Sequence, residues 1–151
     1  GQSKAAREQS AVLQAYTHAL LRLGAHDEVE QLLRKALAKQ WDPRLVTLYG
    51  DIDLGPTALL GRAEVWLATH PEDPALLQTL GRLSYRAELW GKAREYFEAA
   101  VARQPSALGH RLLADAYDRL GESELARRAR AQGLDLATST ANATGTLLPG
   151  R

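Results

Sequence analysis

Residues 73–105 read DPALLQTLGRLSYRAELWGKAREYFEAAVARQP, and this stretch decides the fold. Leu77, Leu80 and Gly81, then Ala93, Phe97 and Ala100, with Pro105 closing the run, fall at the spacings of a helix hairpin that recurs along a chain. Asp73 can cap the free backbone N–H groups of the first helix, and Pro74 suits a first helical position that needs no donor. One such hairpin cannot bury its apolar face alone. Several must therefore stack, and the stack leaves a concave surface open to partners.

Working outward, DPRLVTLYG (42–50) in register with DPALLQTLG (73–81) shares the Asp, the Pro, the Leu at the fourth place and the closing Gly, an internal repeat. Before it, Leu13, Tyr16, Leu20 and Leu23 keep helical spacing up to Gly24, and Val29, Leu32, Leu33, Ala36 and Leu37 resume it. Gly24 suits the left-handed residue that ends a helix, and Asp27, Glu28 and Glu30 put negative charge at the positive end of the next. The run DIDLGP (51–56) cuts the first helix of the second unit short, ahead of a second helix from about Thr57 to Thr69. A fourth unit runs through Leu112, Leu113, Ala114 and Tyr117 to Gly121, then Leu125, Ala126, Ala129, Leu134 and Leu136. The expectation is an all-α, right-handed α-solenoid of about four hairpins, the second irregular, over residues 1–137. The small, polar, aperiodic stretch 138–151 reads as a disordered tail.

Bulk composition agrees. The 151 residues suffice for one domain, and the Leu- and Ala-rich 45% hydrophobic content with a single Phe fits closely packed helices. Nineteen basic against 18 acidic residues give a net charge of +1, so no global field draws the chain to nucleic acid or an anionic membrane surface. Zero cysteines exclude a disulfide frame, a thiol nucleophile and a thiolate metal site. The absence of methionine and the opening Gly1-Gln2-Ser3 read as a processed or excised fragment. No P-loop, Gly-x-Ser-x-Gly elbow or His-Glu-x-x-His pattern is present, which removes the strongest local signals for nucleotide, hydrolase and zinc chemistry.

The hairpin spacing is similar to the tetratricopeptide (TPR) repeat. More specifically, Leu45-Val-Thr-Leu-Tyr-Gly50, Arg62-Ala-Glu-Val-Trp-Leu67, His70-Pro-Glu-Asp-Pro74, Leu80-Gly-Arg-Leu83 and Leu89-Trp-Gly-Lys-Ala93 resemble the C-terminal domain of the HemY-type TPR proteins of proteobacteria. Ser84, at a usual large apolar position, and Arg130, at a usual aromatic one, depart from the generic repeat. The resemblance implies a non-catalytic protein-interaction scaffold associated with haem (protohaem) biosynthesis. It also implies an inner-membrane parent with an N-terminal anchor absent from this chain, the soluble domain on the cytoplasmic side, and haem-pathway enzymes as partners. An unrelated flavin-dependent oxidase shares the family name, and this chain lacks the Gly-x-Gly-x-x-Gly turn that enzyme would need. Alternative readings are an envelope-assembly or secretion adaptor and a haem or porphyrin carrier using His18 or His110.

The first helix of each hairpin lines the concave face in TPR stacks, and steps of three and four residues share a helix face. The groove candidates are therefore Gln14, His18 and Arg22; Arg44, Thr47 and Asp51; Gln78, Arg82, Tyr85 and Arg86; and Arg111, Asp115 and Asp118. Arginine recurs in every group, and its planar fork pairs two-pronged with carboxylates, so an acidic peptide or a propionate-bearing ligand would be met well. No cofactor, metal or nucleic acid is expected. Asp51 and Asp53 read as loop caps, Trp41, Trp66, Trp90, Tyr96 and Phe97 as core between hairpins, and Arg127, Arg128 and Arg130 as a solvated face.

Overall fold

A computed structural model describes residues 3–145, and the described residues form α-helices with one short 3-10 turn. In chain order they are α1 (Lys4–Arg22), α2 (His26–Lys39), α3 (Pro43–Tyr49), α4 (Pro56–Glu64) with the 3-10 turn Val65–Ala68, α5 (Pro74–Arg86), α6 (Trp90–Arg103), α7 (Ala107–Arg119) and α8 (Ser123–Gly145). The first helices of the four hairpins are α1, α3, α5 and α7. They pack in succession, α1 on α3, α3 on α5 and α5 on α7, and make one continuous wall. The second helices α2, α4, α6 and α8 back that wall, which is the expected solenoid.

Side-chain caps start all four first helices. Ser3 Oγ accepts from the Ala6 N–H at 3.1 Å, Asp42 from Arg44 at 3.0 Å, Asp73 from Ala75 at 2.9 Å, and Ser106 from Gly109 at 2.9 Å. The two aspartates do more. The second oxygen of Asp42 accepts the Ser10 hydroxyl of α1, and that of Asp73 accepts the indole N–H of Trp41, from just before α3. Each Asp-Pro dipeptide thus starts its own helix and tethers the unit before it. Asp42 is 6% exposed. Asp42→Ala is expected to cost about 2 kcal/mol, the loss of a cap plus a buried hydroxyl left without its acceptor. Thermal unfolding of the variant checks this, and Asp42→Asn should recover the capping share.

Three of the four turns between paired helices use a left-handed residue. Gly24 (φ 77°) and Gly121 (φ 74°) take it after α1 and α7, but after α5 the same place holds Glu88 at φ 61°. The hydrogen bonds match: Gly24 N–H donates to Leu21 and Glu88 N–H to Tyr85, both at 3.0 Å. A side chain there costs about 1 kcal/mol or more, partly offset by the extra freedom glycine gives the unfolded chain. Glu88→Gly is therefore expected to stabilise the domain by about 0.5–1 kcal/mol, read as a rise in denaturation midpoint.

The short α3 and the α4 helix tightening into the 3-10 turn bear out the irregular second unit. Two cores fill the stack. The larger joins Leu20, Val29, Leu33, Val46, Tyr49, Ile52, Leu59, Leu76, Leu80 and Leu83; the smaller joins Ala93, Phe97, Leu113, Ala114, Tyr117, Ala126 and Ala129. Ser84, fully buried, is accommodated because its hydroxyl donates to the Leu80 carbonyl at 2.7 Å.

The C-terminal stretch departs from the sequence reading. Helix α8 runs on to Gly145, so residues 138–145 are helical where a disordered tail was expected. Once a packed helix is nucleated, each added residue gains a hydrogen bond, and 137–143, with three alanines among small polar residues, contains no glycine or proline to stop it. The remaining part of that stretch, 146–151, lies outside the described residues.

Candidate partner-binding site

The arginines singled out on α5 turn inward along the wall as well as outward. Arg82 donates to the Thr47 carbonyl at 3.2 Å and forms an ion pair with Asp51, clamping α5 to the end of α3. Gly50 permits this approach, since a Cβ there would lie 2.6 Å from the Arg82 guanidinium. Arg86 donates to the Gly50 carbonyl and, at 2.7 Å, to that of Ile52. Arg86 thus supplies donors to two carbonyls just past the truncated α3, while the Thr47 carbonyl also accepts from the Gly50 N–H. Both arginines thus brace the irregular second unit while lying on the face of the first-helix wall.

Other candidates divide. Gln14 is half-buried and donates to Ser10 Oγ at 3.1 Å; the Thr47 hydroxyl donates to the Pro43 carbonyl. Arg44 stays exposed, 3.9 Å from Asp42. Asp115 and Asp118 both pair with Arg130 of α8, which explains how an arginine stands at the usual aromatic place. His18, Arg22 and Arg111 are exposed, and Gln78 is half-buried. The structure brings Arg82, Tyr85, Arg86 and Asp115 together around one notch of about 160 Å³ between α5 and α7. Tyr85 is held edge-on against Trp90 at 4.9 Å, and its hydroxyl accepts from Arg119, whose guanidinium lies 4.8 Å from the Trp90 ring centroid.

Three of the four histidines are engaged locally. His26 Nδ1 accepts from the Asp53 N–H at 2.9 Å, His70 stacks on Trp41 at 3.7 Å, and His110 is buried with Nδ1 3.0 Å from the Ser106 carbonyl. Among the described residues no group of three His, Asp or Glu is placed to hold a metal ion. Arg127 and Arg128 both bind Glu124, whose carboxyl their hydrogen bonds pull down to about 2. A larger cleft of about 510 Å³ opens between α1 and α2, with Leu13, Leu32 and Ala36 on its floor and Lys35 and Lys39 among its polar lining.

One pattern escaped the sequence reading. Glu30, Glu64 and Glu98 stand 34 residues apart on α2, α4 and α6. Each accepts a phenol from a neighbouring helix: Tyr49 on Glu30 at 2.8 Å, Tyr96 on Glu64, and Tyr117 on Glu98 at 2.7 Å. Burial, then the carboxylate, raises all three phenols, Tyr117 to about 12. The signal was available, for Glu30 to Tyr49 and Glu98 to Tyr117 both span 19 residues.

No family model matches the chain. Protein HemY of Escherichia coli K12 and that of Shigella flexneri are each 31% identical over 136 residues, 89% of this chain. The chain is a HemY-type TPR domain. It spans about a third (34%) of those relatives' length. The HemY-type domain also shares its fold with the solved structures MamA MSR-1 and MamA AMB-1. These superpose with TM-scores of 0.64 and 0.59 at 18% and 21% identity, covering 85% and 83% of this chain and 77% and 76% of theirs. No described helix of the HemY-type domain is long and apolar enough to cross a membrane.

Proposed function

We propose that this HemY-type domain is a non-catalytic protein-interaction scaffold, the TPR portion of a membrane-anchored inner-membrane protein associated with haem synthesis. The single observation that carries the reading is the unbroken wall of first helices α1, α3, α5 and α7, which presents His18, Arg22, Arg44 and Arg111 to solvent. A wall of exposed donors on rigid helices suits a protein partner carrying carboxylates. Haem-pathway enzymes are the proposed partners, through the relationship to HemY. The carrier reading gains no support from His110, which is 8% exposed and tied to the Ser106 carbonyl.

Affinity capture with the parent protein, followed by identification of what is retained, tests this. Arg111→Glu with Arg22→Glu should abolish capture while leaving the helical signal unchanged, because neither side chain supports the fold. Arg82 and Arg86 are unsuitable probes, since their loss would release the α3–α4 turn. Recovery of envelope-assembly factors with no porphyrin-pathway enzyme would overturn the haem assignment.

A further inference from the structure

The notch between α5 and α7 is walled by Arg82, Tyr85 and Arg86 on one side and Leu112 and Asp115 on the other, with Phe97 of α6 at its floor. An apolar cavity of about 150 Å³ is enough to hold benzene, so about 160 Å³ leaves room for an aromatic ring or a branched aliphatic side chain.

Electrostatics then select what stands beside that side chain. Arg82 and Arg86 each spend two N–H donors on internal oxygens, and a guanidinium has five. Arg86 makes no ion pair among the described residues; its partners are neutral carbonyls. Although the residue as a whole reaches solvent, its guanidinium is packed against the α3–α4 turn. Burial first, and then the charge of Arg82, pull its pKa below the usual guanidinium value in spite of Asp53 and Asp51. A cation left short of negative charge favours an arriving anion. Asp115, on the opposite side, is neutralised by Arg130 at 3.1 Å, so it does little to repel one.

We propose that this notch is the anchoring subsite of the groove, seating one aromatic or branched apolar side chain of a partner peptide with an adjacent carboxylate on Arg86 and Arg82. The assignment rests on the scaffold reading above and adds to it the chemistry of the anchor. An apolar residue next to an acidic one, or at a free C-terminus, meets both demands at once.

The test is an NMR titration of the whole ¹⁵N-labelled domain with N-acetylphenylalanine, N-acetylphenylalaninamide and N-acetylglycine. The acid is expected to saturate with Kd on the order of 1 mM, moving Tyr85, Leu112 and Asp115 amides, with the other two probes weaker by about tenfold or more. Leu112→Trp, which fills the notch, should remove the response. Should that variant fail to fold, NOEs from the probe's phenyl protons to Phe97 and Leu112 in the unsubstituted domain carry the same decision. Equal binding of acid and amide, shifts confined to the α1–α2 cleft, or no saturation would overturn the proposal. Protein capture that survives Leu112→Trp also sinks the notch and leaves the scaffold standing, whereas no capture by the unsubstituted parent sinks the scaffold reading itself.

Discussion

Gly81→Ala is expected to destabilise the domain by about 3 kcal/mol, although the same change on an exposed helix would stabilise it by about 1 kcal/mol. A Cβ at position 81 would lie 2.4 Å from two ring atoms of Phe97, and that ring, 1% exposed, would have to leave its packed position or force α5 and α6 apart. Gly81 is also the point where the two cores meet, since Leu80 and Leu83 belong to one and Phe97 to the other. Close approach of α5 and α6 thus depends on the missing side chain. Urea denaturation reads the effect as a lowered midpoint, and Phe97→Leu in the Gly81→Ala background should recover part of the loss by relieving the clash. A midpoint unchanged or raised by Gly81→Ala would contradict this packing.

Glu30→Ala is expected to cost a similar amount, about 3 kcal/mol. The carboxylate is 3% exposed and accepts from Arg34 at 3.0 Å and from the Tyr49 hydroxyl, with Arg62 at 3.3 Å. Without it, the fully buried Tyr49 keeps a hydroxyl that has lost its acceptor. Burial by itself would raise the Glu30 pKa, but the hydrogen bonds from Arg34 and Tyr49 and the charges of Arg34 and Arg62 prevail, so it lies below the ordinary 4.5. A folded-state pKa depressed in this way adds stability that is fully present above the unfolded value and is lost as pH falls through the folded one. The gap between the unsubstituted domain and Glu30→Ala should therefore be constant from pH 5.5 to 7 and narrow below about 4.5. Thermal melts across that range provide the check. A gap independent of pH would show that Glu30 acts through packing rather than charge.

Much of the architecture could be read from residues. Gly24 and Gly121 marked helix ends that the structure reproduces, Asp42-Pro43 and Asp73-Pro74 marked helix starts, and the run 51–56 marked the interruption of the second unit. These are local signals, set by backbone chemistry within a few residues. Glu88 was not legible as a left-handed residue because its conformation is imposed by the hairpin on a side chain that does not favour it. The extension of α8 was missed since small polar residues carry no amphipathic period, and helix there follows from continuation rather than pattern. The candidate site was legible as a face but not as a set of contacts. Helical spacing placed Arg82, Tyr85 and Arg86 on one side of α5, yet it could not reveal that Arg82 and Arg86 spend donors on carbonyls 34 to 36 positions earlier. That demand arises only because α3 is seven residues long.

The phenol-to-carboxylate links have a bearing on how the molecule comes apart. Tyr49 ties α3 to α2, Tyr96 ties α6 to α4, and Tyr117 ties α7 to α6, so each bond crosses from one hairpin into its neighbour. Loosening any single hairpin must strand a polar atom on the next, which binds the array into one cooperative block across its middle. Gln132 takes the place of the recurring glutamate in α8, no phenol-to-carboxylate link follows it among the described residues, and the backbone amides of residues 133–145 should exchange with deuterated solvent well before those of α4 and α6.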